Sequence, residues 1–366
     1  MTNNIFIIGG ARPNFMKIAP LINEFKRQKI RFKFIHTGQH YDFNMSKIFL
    51  DNLGIPKPDY FLNAGSGTHA SQTAKIMVEF EKVILKEKPR LVIVVGDVNS
   101  TIACALVAKK ISIEVAHIEA GLRSFDLKMP EEINRRLTDQ ISDYLFITER
   151  SALVNLKNEG IDSSKIFFVG NVMIDNLINN LEKARNTNYF KELGLINGSY
   201  GLVTIHRPSN VDNKRDLENV IKILDYIQSK IKVVFPIHPR TQKCLRKFKL
   251  EEEMNKSNII ITEPLGYLEF LNLIINSKFI LTDSGGIQEE ASYLKIPILT
   301  LRNNTERPVT IEEGTNTLLG NDILKLKKHL DKILSDTYKK GKPIEMWDGK
   351  ASQRITNIII DKVLKN

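Results

Sequence analysis

The stretch Phe279-Ile280-Leu281-Thr282-Asp283-Ser284-Gly285-Gly286-Ile287-Gln288-Glu289-Glu290-Ala291 passes from a short apolar run, through a polar turn with paired glycines, into a helical pattern. Strand, tight turn and helix in that order is the repeating unit of a parallel α/β sheet. Two adjacent glycines let the backbone approach an anion closely. The free N–H groups and positive dipole end of the following helix supply the attraction. The turn therefore suits a diphosphate, with Glu290 one turn into the helix and within reach of sugar hydroxyls. The same residues also fit an ordinary βα turn capped by Ser284, and the stretch alone does not choose between the two.

Outward from this unit, short apolar runs alternate with helix-length segments along the whole chain. Candidate strands are Ile5 to Ile8, Arg31 to His36, Leu91 to Val95, Ile113 to Ile118, Tyr144 to Ile147 and Lys165 to Val169. A second series follows at Gly201 to Ile205, Lys232 to Phe235, Asn258 to Ile261, Phe279 to Leu281 and Pro297 to Leu301. Such alternation predicts two doubly wound parallel-sheet halves, joined between Gly170 and Tyr200. Domains are expected over 1–172 and 173–350. A terminal helix over 351–366, with Ile355, Ile358, Ile359 and Val363 at helical spacing, is expected to pack back on the first.

Composition sets the outer limits. At 366 residues, 42% hydrophobic and 26% charged, the chain fits two globular domains rather than one core. Met1-Thr2-Asn3-Asn4 leads directly into Ile5-Phe6-Ile7-Ile8 without the features of a leader, and no apolar run has the length of a membrane span, so a cytoplasmic protein without a membrane partner is expected. Cys104 and Cys244 stand far apart, without the spacing of a disulfide framework or a metal site. The net charge of +11 attracts phosphates. Its lysines are scattered, however (Lys325, Lys327, Lys328, Lys332, Lys339, Lys340, Lys342), with no aromatic platform or reader motif. A nucleic-acid partner is not expected, and an anionic small substrate is.

In open α/β sheets ligands bind beyond the carboxyl ends of the strands. In the first half those ends carry Gly9-Gly10-Ala11-Arg12-Pro13 with Lys17, then Gly96-Asp97-Val98-Asn99-Ser100-Thr101, then Glu119-Ala120-Gly121-Leu122-Arg123. Met129-Pro130-Glu131-Glu132 opens the next helix, with Asn134 and Arg135 behind. Arg12 or Lys17 paired with Asp97 would make a purely structural ion network, and Glu131 and Glu132 are what any helix N-terminus favours. Asp97 and Glu119 call for more, because carboxylates ending buried strands are costly unless paired or used. The second half adds His206-Arg207-Pro208 and His238-Pro239-Arg240 at its own strand ends, a pattern suited to anion binding, with His206 the stronger candidate. Gly65-Ser66-Gly67-Thr68-His69-Ala70 matches a dinucleotide fingerprint, but Pro56 and Pro58 interrupt the segment before it and Glu87 lies at a helix end, so no NAD site is expected.

Taken together, Gly10-Ala11-Arg12-Pro13, Gly38-Gln39-His40, Gly96-Asp97, His117 to Arg123, Pro130 to Arg135, Gly170-Asn171, His206-Arg207, Asp283 to Glu290 and Thr305-Glu306-Arg307-Pro308 resemble, nearly end to end, the non-hydrolysing branch of the UDP-N-acetylglucosamine 2-epimerase family. The resemblance implies a GT-B-like pair of Rossmann-like domains with an interdomain cleft, in a homodimer. The implied activity is interconversion of UDP-GlcNAc and UDP-ManNAc, without metal or cofactor, feeding cell-surface polysaccharide synthesis. It further implies elimination of UDP through 2-acetamidoglucal, because the C2 proton of the sugar is not beside a carbonyl.

By motif, Asp97, Glu119 and Glu131 fall on the family's catalytic acids, with the proton-abstracting one among them left open, and His206 falls beside them. Arg12, Lys17, Arg135 and His238 fall near the diphosphate and sugar. Ser284, Gly285 and Gly286 match the phosphate turn, Glu290 the ribose contact and Arg307 the sugar border. Phe270 matches an aromatic against uracil, unless it is a core residue of its helix. Asn14 stands where many members have Glu, and Pro208 where they have Arg, so the resemblance does not carry over the family's activator site near Gln39. Hydrolysis to free ManNAc, a modified UDP-HexNAc substrate, and a glycosyltransferase or non-catalytic binder on the same fold remain the alternatives.

Overall fold

The computed structural model describes residues 4–38, 50, 53–255 and 259–365, and they fall into two compact units, 1–176 with 345–366 and 177–344. The first contains β1 (Ile5–Gly9), α1 (Arg12–Arg27), β2 (Phe32–His36), β3 (Tyr60–Phe61), α2 (His69–Glu87), β4 (Leu91–Val95), α3 (Asn99–Lys110), β5 (Glu114–Ala120), α4 (Pro130–Ile141), β6 (Tyr144–Ile147), α5 (Arg150–Asn158) and β7 (Ile166–Phe168). The chain leaves it along α6 (Val172–Thr187). The second contains α7 (Tyr189–Glu192), β8 (Tyr200–Thr204), α8 (Pro208–Val211), α9 (Lys214–Gln228), β9 (Lys232–Pro236), α10 (Pro239–Phe248), α11 (Glu251–Asn255), β10 (Ile259–Thr262), α12 (Tyr267–Asn276), β11 (Phe279–Thr282), α13 (Gly285–Tyr293), β12 (Ile298–Thr300), α14 (Val309–Glu312), β13 (Asn316–Leu318) and α15 (Ile323–Leu334). A last helix, α16 (Ala351–Ile359), belongs to the first unit.

Both sheets are parallel and share one topology. The first is ordered β3-β2-β1-β4-β5-β6-β7 and the second β10-β9-β8-β11-β12-β13. Each therefore reverses direction once, between β1 and β4 and between β8 and β11. Helices cover both faces of such sheets, so central strands are apolar throughout: β1 and β4 are buried at every position. Phe6, Ile35, Phe80 and Val92 anchor one core of the first unit, and Val203, Phe235, Leu281, Leu224 and Leu326 anchor the core of the second.

Two strands carry no apolar run and were not legible. β3 is two residues at a sheet edge behind Pro56 and Pro58, and β13 is the edge strand Asn316-Thr317-Leu318. Edge strands tolerate polar residues because only one side is paired.

Helix α4 is turned inside out. Glu132, Arg135 and Asp139, at spacing i, i+3 and i+7, are buried, while Ile133 and Leu137 are 45% and 52% exposed. A buried ionic stripe on a helix is costly unless every member is paired. In the same unit, α16 packs against α1, and its first backbone N–H groups donate to the Asp175 carboxylate (3.1 Å from Ala351, 2.7 Å from Ser352). A side chain from α6 thus serves as that helix's N-cap.

Candidate functional site

A parallel sheet gathers its ligand groups where strand order reverses, because loops there diverge to opposite faces and leave a crevice. At the first sheet's reversal, the turn after β1 faces the turn after β4. Asn14 of α1 joins them: its side-chain oxygen accepts from the N–H groups of Gly10 (3.3 Å) and Ala11 (3.2 Å), and its amide nitrogen donates to the Val95 carbonyl (3.1 Å). A glutamate at this position, as in the resembled motif, has no donor for that carbonyl.

One turn further, Lys17 pairs with Glu119, both side chains being over nine-tenths buried. Asp97 pairs with Arg135 instead (2.5 Å), whose other arm holds Glu132 (2.8 Å). The ion network is therefore split into two pairs. Glu119 itself stands at φ 72°, where the β5–β6 register shifts between Ile118 and Ala120. A bulge turns its side chain out of the strict alternation of the strand, and the left-handed backbone of a non-glycine residue costs of order 1–3 kcal/mol.

Helix α4 carries the remaining groups. Glu131 is half-buried in its first turn, while its neighbour Glu132 is enclosed and accepts from the N–H and hydroxyl of Ser124 (both 2.9 Å). Arg12 opens α1, its side chain lying outside the described residues, as do Gln39 and His40. The Gly65 to Ala70 segment follows edge strand β3 rather than β1, and Thr68 caps α2 by accepting from Ser71 N–H (3.2 Å).

At the second sheet's reversal, Asp283 is the hub. Its buried carboxylate accepts from the N–H of His206 (3.0 Å), the N–H of Arg207 (2.8 Å) and the Asn210 amide (2.9 Å), tying the turn after β8 to the end of β11. His206 Nδ1 lies 3.2 Å from the same carboxylate. Burial pushes the His206 pKa below its ordinary value; Asp283 opposes this, and Arg207 and Arg240 add to it. The neutral ring then keeps its proton on Nδ1, facing Asp283, and leaves Nε2 as an acceptor. The His206 and His238 rings lie 5.0 Å apart, and His238 Nδ1 accepts from Arg240 N–H (3.1 Å).

Ser284 occupies the N-cap position of α13, yet its side chain makes no capping hydrogen bond. Of the two readings open in the sequence, the capped turn is not the one observed. Gly285 is enforced by its surroundings, since a Cβ there would lie 2.6 Å from Arg307 Nη1 and 2.8 Å from Glu306 Oε1. The Arg307 guanidinium sits against Glu306 and has its Nε 2.9 Å from Glu289. Gly286 is half-exposed in the first turn of α13. Glu290 is buried and accepts from the Tyr267 hydroxyl (2.8 Å). Burial raises its pKa to about 7 against the pull of that hydrogen bond. Phe270 is half-buried on α12, where Tyr267 and Leu271 take the core positions.

Asp283, Asn14 and Asp139 received no role in the sequence reading. Asp283 had the available signal of an acid closing a buried strand. Asn14 and Asp139 had only their place in helices, where a polar residue signals nothing until its partners are known.

Comparison with known proteins fits this geometry. The family model described as UDP-N-acetylglucosamine 2-epimerase matches residues 23–360. UDP-N-acetylglucosamine 2-epimerase of Methanocaldococcus jannaschii is 50% identical over 360 residues, covering 96% of this chain and 98% of its own. UDP-2,3-diacetamido-2,3-dideoxy-D-glucuronate 2-epimerase of Pseudomonas aeruginosa is 44% identical over 321 residues, covering 86% and 88%. The crystal structure of the Methanocaldococcus jannaschii UDP-GlcNAc 2-epimerase in complex with UDP-GlcNAc and UDP superposes with a TM-score of 0.91 at 48% identity, over 98% of this chain and 99% of that one. With two Rossmann-like parallel sheets, charged groups at both strand-order reversals and this end-to-end similarity, the chain belongs to the UDP-N-acetylglucosamine 2-epimerase family of isomerases.

Proposed function

We propose that the protein interconverts UDP-GlcNAc and UDP-ManNAc as a non-hydrolysing epimerase. The carboxylate–cation pairs at the reversal of the first sheet, buried Lys17 with Glu119 and part-buried Asp97 with Arg135, carry this assignment. The proton on C2 of the sugar is not acidic enough for direct removal and return. Loss of a leaving group from C1 supplies the missing driving force: a carboxylate takes the C2 proton, the C2–H electrons form the C1–C2 double bond, and UDP departs with the electron pair of the broken C1–O bond. Addition of UDP to the resulting 2-acetamidoglucal, with protonation of C2 from the other face, completes the inversion. No net oxidation occurs, so no nicotinamide is required.

Asp97, Glu119 and Glu131 serve the proton transfers in this scheme, with Arg135 beside Asp97 and Lys17 beside Glu119. His206, once its Nε2 has taken up a proton and can donate, together with Arg12, Lys17, Arg135 and His238, meets the diphosphate and sugar. Ser284, Gly285 and Gly286 hold the diphosphate at the start of α13, Glu290 accepts from the ribose, Phe270 stacks on uracil and Arg307 borders the sugar. In this reading the enzyme is cytoplasmic and supplies cell-surface polysaccharide synthesis; among the described residues no helix is long and apolar enough to cross a membrane. Exposed Phe125, Leu127, Ile133 and Leu137 support a homodimer.

A related reading has a specific support: the Pseudomonas aeruginosa relative is named for a diacetamido uronate sugar, so a modified UDP-HexNAc is the second substrate to test. Incubation with UDP-GlcNAc in D₂O decides the matter. Deuterium at C2, UDP-ManNAc at equilibrium and little free sugar are expected; accumulating ManNAc means hydrolysis, and no exchange with either sugar overturns the assignment.

A further inference from the structure

The two pairs described above are set by a third, deeper group. His117 in β5 is fully buried, with Nδ1 2.6 Å from Asp139 Oδ1 and Nε2 2.8 Å from the Gly96 carbonyl oxygen. A carbonyl only accepts, so Nε2 donates to it. Asp139 uses its second oxygen to accept from the Gly121 N–H (3.0 Å), and the Arg123 guanidinium lies 2.7 Å away. Gly96 immediately precedes Asp97, and Gly121 follows Glu119 by two residues.

One carboxylate on α4 therefore grips the backbone beside both acids. Gly96 stands at φ 68°, and a Cβ on it would lie 3.1 Å from Lys17 Nζ and 3.4 Å from Glu119 Oε2, so this peptide lies beside the Lys17–Glu119 pair. Asp139 is completely enclosed, and although burial favours its neutral form, the His117 and Arg123 contacts outweigh that and hold its pKa below the ordinary value. A buried carboxylate with three donors around it costs stability to desolvate, and apolar packing would fill the same space.

We propose that Asp139, acting through His117 and Gly121, is the positioning residue that sets the placement of the Asp97 and Glu119 carboxylates relative to each other. Asp139 touches no substrate; it holds the two peptides between which the acids are presented. The inference rests on the epimerase assignment above. A displacement of catalytic groups by about 1 Å costs on the order of 10²-fold in rate with little effect on binding, which is the signature sought.

The test compares Asp139→Ala, Asp139→Asn, His117→Gln and the Asp139→Ala/His117→Gln double variant of the full-length enzyme, reading kcat and KM for UDP-GlcNAc, the Kd for UDP and the unfolding midpoint. Asp139→Ala is expected to lower kcat roughly 10²-fold while KM and the UDP Kd stay within about threefold. Asp139→Asn is expected to recover most of that loss, because its oxygen still accepts from Gly121 and its amide nitrogen can donate to a neutral His117. The double variant should be no worse than the poorer single one, since the two residues act in series. Should Asp139→Ala fail to fold, His117→Gln, expected to lower kcat roughly 10²-fold, and Asp139→Asn, expected to keep most of it, test the proposal in its place. Additive losses, an Asn variant as impaired as the Ala variant, or parental kcat in Asp139→Ala or His117→Gln each overturn the proposal. An inactive parent would instead overturn the epimerase assignment.

Discussion

Lys17 and Glu119 form a buried ion pair whose acidic member is presented at φ 72° from a bulge in β5. A carboxylate in that position is held away from water beside its cation. Strain of the backbone and burial of charge both oppose stability, and they coincide at Glu119, for which a proton-transfer role is proposed.

Replacing Glu119 by Gln is expected to preserve folding and UDP binding while lowering epimerisation by at least about 10²-fold, the scale of a lost general acid or base. Isothermal titration with UDP and a C2 deuterium-exchange assay measure the two halves of this statement. Turnover near the parental rate in Glu119→Gln would remove this residue from the chemistry.

Glu290 makes stability depend on pH. Its pKa rises from 4.5 to about 7 in the folded state, so the native protein holds this proton more tightly than the unfolded chain does. The contribution is fully present below the unfolded value and is lost as pH rises through about 7. The Tm difference between the parent and Glu290→Gln, followed from about pH 5 to about pH 8, should therefore shift in favour of the variant as pH rises. A difference that stays flat contradicts the buried, protonated state.

Gly285→Ala places a methyl group 2.6 Å from Arg307 Nη1. Arg307 or the turn must move, and the expected result is a loss of UDP affinity of about tenfold or more, equivalent to about 1.4 kcal/mol. Fluorescence or calorimetric titration with UDP checks it. An unchanged Kd would mean that the first turn of α13 does not hold the nucleotide.

Asn14→Asp removes the donor to the Val95 carbonyl and adds a charge near the Lys17–Glu119 pair. Because the Thr101 hydroxyl still donates to that carbonyl (2.9 Å), the loss of the Asn14 donor should cost about 0.5–1.5 kcal/mol, seen as a lower urea midpoint at unchanged slope. If the midpoint holds, the bridge contributes nothing to stability.

Much of the architecture was legible along the chain because parallel strands covered on both faces must be continuous apolar runs, and β1, β4 and β11 are such runs. Edge strands β3 and β13 were hidden by the same rule, being partly solvated and short. The strand-end acids and bases were visible because a charge closing an apolar run has no apolar explanation. Their partners were not visible. Arg12 and Lys17 were each open to pair with Asp97, and nothing in spacing alone pointed to Arg135 or assigned Lys17 to Glu119.

By itself, then, the sequence determined the alternating α/β class, the glycine turn at Ser284 and the set of residues brought to strand ends, all of which depend on local pattern. Only the tertiary structure decided that Ser284 leaves its helix uncapped, that Glu119 sits on a bulge and that Asp139 reaches both acid-bearing turns through His117 and Gly121. The physical reason is that a hydrogen bond between residues 18 or 22 positions apart requires a backbone path that no local periodicity records. In a helix such as α4, whose buried face is ionic, hydrophobic patterning points the wrong way until the partners of each charge are in place.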